Sequence, residues 1–203
     1  GNLLAESGSR YLTNGVDSLI VTNEDKEIPI LVESLSSTYD KTFFILQFLG
    51  CHSYYYNYEE EYDIYHPNIN SDKGIKSDSL YINAYDNTIL YADHILSETI
   101  RSINHPDVVS SLVFVSDHGE NVTATGGGHG GDCAPKKQEY HVPLIYWYSD
   151  KYKAAYPEKV IQAYRHLDAP VCSDNVFYSL CDMANISLAS EFQKNDYSIF
   201  SES

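Results

Sequence analysis

The chain has 203 residues, of which 43% are hydrophobic and 21% are charged, and this composition excludes an intrinsically disordered segment. Its formal net charge is −16 and its 13 Lys and Arg residues form no cluster, which argues against nucleic acid and anionic membrane surfaces as partners. The longest apolar run, at 43–50, is far shorter than the roughly 20 residues of a membrane-spanning helix. From the length of the chain, we expect one domain over residues 1–203.

Four segments in the first half of the chain have the apolar spacing of regular elements. Residues 18–22 predict a short strand, and residues 27–37 predict a helix that is entered through a proline. The run at 42–50 is almost continuously apolar, as expected for a strand that is buried on both faces. Residues 78–103 carry apolar side chains at helical spacing, and Asp78 is the candidate cap of that helix.

The second half of the chain alternates strand and helix patterns. The runs at 110–116 and 142–149 predict buried strands, and helices are expected at about 157–167 and 173–185. Alternation of this kind predicts an α/β fold with a mostly parallel sheet and helices on both faces.

The four cysteines leave two interpretations open. The spacing of Cys51, Cys133, Cys172 and Cys181 matches neither a zinc ribbon nor a thioredoxin motif, so two disulfides and four free thiols are both possible. Within one continuous helix, Cys172 and Cys181 would lie about 13 Å apart, beyond disulfide reach. A bridge between them therefore requires Cys172 to lie outside the helix.

Metal-binding side chains follow two of the predicted strands. His52 comes just after the first of these strands, and Asp117 and His118 come directly after the second. Ligands of open α/β sheets bind beyond the carboxyl ends of the strands, and carboxylate with imidazole suits zinc. The glycine-rich loop at 123–131 allows His129 to approach the same edge.

Each of these features also has a plainer interpretation. An Asp-His pair at a strand end is often a helix cap or a surface turn, and His52 next to aromatic residues is consistent with a packed core histidine. The glycine-rich loop lacks the Lys-Ser/Thr of a phosphate-binding loop, and it is also compatible with a simple surface loop. Only the joint arrangement favours a metal site.

Four stretches of the sequence resemble one enzyme family. They are "LQFLGCHSYYYNYEEEYDIYHP", "NAYDNTILYADHIL", "SLVFVSDHGE" and "APKKQEYHVPLIYWYSDKY". They resemble the catalytic domain of the phosphoethanolamine transferases, membrane-anchored enzymes of the alkaline phosphatase and sulfatase superfamily, and they occur in the family's order over about residues 18–185. The resemblance implies an alkaline phosphatase/sulfatase-like fold whose N-terminal part is missing from this chain.

The resemblance also implies roles for individual residues. Asp117 and His118 match the ligands of the catalytic zinc. His52 and His129 match histidines that hold a second zinc or the transferred phosphoryl group. Glu120 lies in the same motif as a catalytic residue that supports these ligands, and its plainer interpretation is an exposed acid in a loop.

The implied reaction proceeds in two transfers at the periplasmic face of a bacterial inner membrane. In the family, a zinc-activated threonine takes phosphoethanolamine from phosphatidylethanolamine and passes it to a lipid A or glycan acceptor. Zinc there lowers the pKa of the nucleophile and stabilises charge on the phosphoryl oxygens.

This chain departs from the family pattern in its first residues. The family's nucleophilic threonine and a glutamate zinc ligand lie upstream of every matched stretch, and Thr13 lacks the strand and helix that should flank such a nucleophile. The chain does not begin with Met, so we expect a piece of a longer protein that is inactive alone, because an incomplete ligand set binds zinc weakly. A missing strand would also expose a sheet edge, which predicts a homodimer through that edge.

Two other functions remain open from the sequence. One is another enzyme of the superfamily, such as a sulfatase or a phosphoglycerol transferase, and the other is a non-catalytic binding module that kept the fold. The tyrosines and glutamates after His52 also have two interpretations, a pocket for the substrate head group or the general tyrosine richness of a chain with 19 tyrosines. That set comprises Tyr54, Tyr55, Tyr56, Tyr58, Glu59, Glu60 and Glu61.

Overall fold

A computed structural model describes residues 17–52, 55–72, 74, 76–124, 128–130 and 136–202. The regular elements are α1 (Glu27–Ser36), α2 (Asp78–Ile103), β1 (Ser111–Val115), α3 (Lys137–Tyr140), β2 (Leu144–Tyr148), α4 (Asp150–Ala155), α5 (Pro157–Arg165) and α6 (Ser173–Met183). Single turns of 3₁₀ helix occur at Glu60–Tyr62, Ser190–Phe192 and Asn195–Tyr197. The four predicted helices are therefore confirmed, as are the predicted strands that became β1 and β2.

The sheet of the described residues differs from the predicted one. It has two strands, β1 and β2, which pair antiparallel with Val113 opposite Tyr146. A parallel pair requires a long crossover that packs back over the sheet, and the described part of the connection contains only the short helix α3. The mostly parallel sheet with helices on both faces is therefore not confirmed.

The two apolar runs before α2 do not form the predicted strands. Residues 18–22 and 42–50 are irregular, and large apolar side chains in both runs are exposed: Leu19, Ile20, Val21, Phe43, Ile45 and Leu49. A strand needs a neighbour that completes its ladder of hydrogen bonds, and the described residues place none beside either run. One side chain of the second run, Phe48, does reach β1, where its ring lies 6.3 Å from that of Phe114.

Helices α1 and α2 pack against each other. Ile28 and Val32 are buried on α1, and Tyr91 and Ile95 are among the buried residues of α2. The buried face of α2 also contains small and polar residues, among them Ala84 and Thr88, whereas Ile89 is exposed. Apolar periodicity alone therefore placed the helix correctly and part of its face wrongly.

Asp78 does not cap α2. The residue before the helix is Ser77, which has extended backbone angles, and Asp78 is the first helical residue. Its carboxylate accepts a hydrogen bond of 2.7 Å from the backbone N–H of Ala124. Asp78 thus joins the start of α2 to the loop that precedes His129.

A second packed region lies between the sheet and the C-terminal helices. Its buried centre consists of Tyr152, Val160, Met183 and Phe200. The hydroxyl of Tyr152 donates a 2.9 Å hydrogen bond to the carbonyl oxygen of Met183, which satisfies a polar group that this core would otherwise leave unpaired. This region packs against β2, and β1 is joined to it through its pairing with β2.

Three cysteines can be assigned. Cys51, Cys172 and Cys181 are free thiols, and Cys133 lies outside the described residues. Burial raises the pKa of the Cys51 thiol, which therefore stays protonated at neutral pH. In the part of the chain that the structure describes, no helix has the length and apolar character needed to cross a membrane.

Candidate metal centre

The turn after β1 presents His118. The hydroxyl of Ser116 donates a 2.7 Å hydrogen bond to the carbonyl oxygen of His118, and Nδ1 of the His118 ring lies 3.0 Å from the carbonyl oxygen of Gly119. A carbonyl oxygen only accepts hydrogen bonds, so this contact places the ring proton on Nδ1 and leaves the Nε2 lone pair available. That is the state in which histidine binds a metal.

The glycine-rich loop brings His129 back to the same turn. Asn121 and Gly128 exchange two backbone hydrogen bonds of 3.2 and 2.9 Å, and Gly128 has a φ of +124°, a value that favours glycine. Residues 125–127 and 131–135 lie outside the described part. His129 directly follows this bridge and therefore lies next to the turn at His118.

His118, Glu120 and His129 form a compact group. One possible ligand atom from each lies within 4.8 Å of the others, and the two imidazole rings stack with their centroids 3.6 Å apart. Imidazole and carboxylate are groups that zinc sites use, the carboxylate either as a ligand or as the acceptor that orients a ligating histidine. The chemistry of these donors therefore fits a zinc ion.

The two remaining predicted ligands lie beside this group. The Asp117 carboxylate is 89% exposed, and it lies 3.8 Å from Nε2 of His118. The His52 ring lies 6.5 Å from the His129 ring, centroid to centroid. The structure thus brings all five predicted site residues to one place, and Asp117 is the most solvent-exposed of them.

Two acidic residues that the sequence did not single out support the site. The Asp25 carboxylate accepts hydrogen bonds of 2.8 Å from the backbone N–H groups of Leu49 and Gly50, which fixes the turn before His52. Asp25 lies just before α1, where a sequence pattern indicates only a helix cap. Leu49 and Gly50 lie 24 and 25 positions further along the chain than Asp25, so no local sequence signal predicts this tertiary contact.

Glu139 on α3 supports the other side of the site. Its backbone carbonyl oxygen accepts a 2.7 Å hydrogen bond from the N–H of Gly119, and its carboxylate accepts a 3.3 Å hydrogen bond from the N–H of Gly130. Glu139 thereby holds the turn at His118 and the loop at His129 together. The only signal for this role is its place in the stretch "APKKQEYH".

The tyrosine-rich segment contributes one side chain to the site. Tyr55 is buried, and its hydroxyl donates a 3.1 Å hydrogen bond to Glu120; burial and this carboxylate raise the pKa of Tyr55. Tyr56 is exposed, and Tyr58 donates instead to Asp63. Glu59, Glu60 and Glu61 are exposed, and Tyr54 lies outside the described residues, so the head-group pocket stays one of the two interpretations.

A buried polar network holds the tyrosine-rich segment on α2. The Asn87 side-chain oxygen accepts hydrogen bonds from the backbone N–H groups of Ile64 and Tyr65, at 3.1 and 2.9 Å. Its amide nitrogen donates to the Asp63 carboxylate at 2.9 Å, and the buried Asn68 donates to the same carboxylate at 2.8 Å. Asn87 therefore supports the position of the tyrosine-rich segment on α2.

Three other histidines do not belong to this group. The His94 ring lies 5.1 Å from that of Tyr62, and Nδ1 of His166 lies 2.8 Å from the carbonyl oxygen of Ile199. His141 is exposed at the end of α3.

Gly119→Ala is expected to disrupt the site. A Cβ atom at this position would lie 1.9 Å from the backbone oxygen of Gln138, so the turn and α3 would have to separate. Overpacking of this kind costs about 1–3 kcal/mol of stability, and we expect zinc affinity to fall as well because Gly119 lies between His118 and Glu120. Chemical denaturation and zinc titration measure both effects. Gly74→Ala is the control, because no atom lies within 4 Å of its added Cβ; equal losses in the two variants would contradict the prediction.

Comparisons with known proteins give the family of the chain. The sulfatase family model matches residues 18–186. The chain is 30% identical over 151 residues to phosphoethanolamine transferase EptA of Salmonella typhimurium, covering 70% of this chain and 27% of that protein. It is 31% identical over 142 residues to the Kdo(2)-lipid A phosphoethanolamine 7''-transferase of Escherichia coli K12, covering 68% of this chain and 23% of that protein.

One solved structure confirms the fold. It is the integral membrane protein lipooligosaccharide phosphoethanolamine transferase A (EptA) from Neisseria meningitidis, with a TM-score of 0.74 and 22% identity over 87% of this chain and 34% of that chain. The chain therefore spans only a part of these relatives. Because the family match extends over most of its length, the chain belongs to the sulfatase family, and within that family it is similar to the phosphoethanolamine transferases.

Proposed function

We propose that this chain is part of the catalytic domain of a zinc-dependent phosphoethanolamine transferase. The enzyme moves phosphoethanolamine from phosphatidylethanolamine to a lipid A or glycan acceptor. The observation that carries the proposal is the group of His118, Glu120 and His129 at the end of β1, in a chain whose relatives are named as transferases of this group. The proposed location is the periplasmic face of the inner membrane; the lipid A acceptor in the name of one relative supports a membrane location.

The described residues divide into two sets around the proposed zinc. His118 holds the ion, with Asp117 beside it as a further ligand. His52 and His129, whose rings are 6.5 Å apart, supply imidazoles for a second ion or for the oxygens of the transferred phosphoryl group. When bound, zinc lowers the pKa of a hydroxyl nucleophile and neutralises charge on the phosphoryl oxygens.

In our proposal, the nucleophile belongs to a segment outside this chain. Thr13 lies outside the described residues, and its sequence context gave no support for that role. The exposed apolar side chains of 18–22 and 42–50 favour a covering segment, because apolar patches of this kind mark contact surfaces. The missing N-terminal part of the catalytic domain is the proposed occupant, and a homodimer through the same face is the alternative for the isolated chain.

Mass spectrometry of lipid A tests the proposed function. The parent protein, which is the longest reading frame that contains these residues, is expressed in a bacterial host whose lipid A carries no phosphoethanolamine. Its His118→Ala variant and the 203-residue chain alone are expressed in the same host. We expect phosphoethanolamine on lipid A or a cell-surface glycan only with the parent protein. Product from the 203-residue chain alone would contradict its predicted inactivity.

The same samples separate the alternatives. The matched family model is named for the sulfatases, so hydrolysis of an aryl sulfate ester without transfer would favour a sulfatase. Transfer of phosphoglycerol would favour that branch of the superfamily. Zinc binding by the parent protein without any product would favour a non-catalytic binding module.

A further inference from the structure

Tyr55, Glu120 and His129 form a continuous chain of hydrogen bonds. The hydroxyl of Tyr55 lies 3.1 Å from Oε1 of Glu120, and Nδ1 of His129 lies 2.8 Å from Oε2 of the same carboxylate. The two oxygens of Glu120 are therefore each occupied by a different partner. The Glu120 side chain is 15% exposed, whereas that of His129 is 36% exposed.

This chain determines where the imidazole proton of His129 lies. An ionised carboxylate only accepts hydrogen bonds, so Nδ1 of His129 must carry the hydrogen that Glu120 accepts. The Nε2 atom of the neutral ring then keeps its lone pair. Carboxylates that accept from the second ring nitrogen of a histidine set the tautomer and orientation of metal-binding histidines in this way.

Two contacts hold Tyr55 in place beside the Glu120 carboxylate. Its ring meets that of Tyr85 edge to face, with centroids 5.4 Å apart, and its backbone carbonyl accepts a 3.1 Å hydrogen bond from the Asn70 side chain. Its φ is +45°, in the left-handed region that non-glycine residues rarely adopt. Such a conformation persists only where the surroundings determine it, and in this conformation the hydroxyl contacts Glu120.

We propose that Tyr55 is a positioning residue that holds Glu120 and, through it, keeps His129 in the tautomer with its proton on Nδ1. The role in zinc binding or phosphoryl recognition rests on the proposed function of the site. The orientation of His129 itself does not, because it follows from the hydrogen bond between Nδ1 and the Glu120 carboxylate.

The test compares Tyr55→Phe with the unsubstituted 203-residue chain, which is called the parent chain. Phenylalanine keeps the ring on Tyr85 and removes only the hydroxyl that reaches Glu120. Nitrogen-15 NMR of the imidazoles, on metal-free protein at a pH about two units above the ordinary histidine pKa of about 6.5, reports the tautomer directly. We expect a single Nδ1–H tautomer of His129 in the parent chain and a mixture in the variant. We also expect zinc affinity to fall, by less than the about 10- to 100-fold that follows loss of the group that contacts the ligand directly.

Two further variants make the comparison specific. Tyr39→Phe removes the hydroxyl of an exposed tyrosine and should change neither measurement. Glu120→Ala should give the same mixture of His129 tautomers, and adding Tyr55→Phe to it should have little further effect, because both act through one carboxylate.

The outcomes for Tyr55 and for the site are separable. An unchanged His129 tautomer in Tyr55→Phe would overturn the positioning role, whatever the zinc titration gives. A parent chain that binds no zinc would contradict the proposed metal site, and the NMR comparison would still decide the role of Tyr55.

Discussion

Replacing His118 or His129 with alanine is expected to weaken zinc binding by at least about 100-fold, since losing only a group that orients a ligand costs about 10- to 100-fold. Both histidines belong to the group whose ligand atoms lie within 4.8 Å of one another. Asp117→Ala should have a smaller effect in this chain, because the Asp117 carboxylate is largely exposed and lies outside that group. Titration with zinc at neutral pH, with a competing chelator, measures all three variants.

A matched control separates ligand loss from general damage. His141→Ala removes an exposed imidazole at the end of α3, away from the group, and should leave zinc affinity unchanged. If Asp117→Ala abolished binding while His129→Ala did not, the metal would be held at the Asp117–His118 pair alone. If all four variants bound zinc as the parent chain does, the proposed centre would be wrong.

Asn87→Ala is expected to produce the second large effect, a loss of about 3–5 kcal/mol of stability. Asn87 is fully buried. Its truncation would remove one hydrogen-bond partner from each of three groups: the backbone N–H groups of Ile64 and Tyr65, and the Asp63 carboxylate. A fully buried group left unsatisfied costs about 1–3 kcal/mol, and each of these three groups should cost near the lower end of that range, because Ile64 and Tyr65 are themselves partly exposed to water. Denaturant unfolding measures the loss.

The control for this prediction lies on the same helix. Asn83 makes one exposed side-chain hydrogen bond, of 2.8 Å, to the carbonyl oxygen of Pro67, so Asn83→Ala should cost less than about 1 kcal/mol. Similar losses in the two variants would show that the buried network does not hold the tyrosine-rich segment on α2.

The helices were the most predictable part of the fold. Apolar periodicity and a proline near the start placed α1, α2, α5 and α6 to within a few residues, because a helix satisfies its backbone hydrogen bonds within its own segment. The runs at 18–22 and 42–50 have equally clear apolar patterns but form no strand in the described part of the chain. A strand depends on a neighbouring strand, and the pattern of one segment carries no information about that neighbour.

The site shows the same division. The sequence by itself determined that an acid and a histidine end a strand at Asp117 and His118, with Glu120 two residues later, because these groups are joined by the chain. Only the tertiary structure decided that Tyr55, 65 residues away, donates to Glu120. It also decided that His129 stacks on His118 and lies near His52. These contacts depend on how loops are held by Asp25, Asn87 and Glu139, and buried hydrogen bonds between distant segments leave no periodic signal in a sequence.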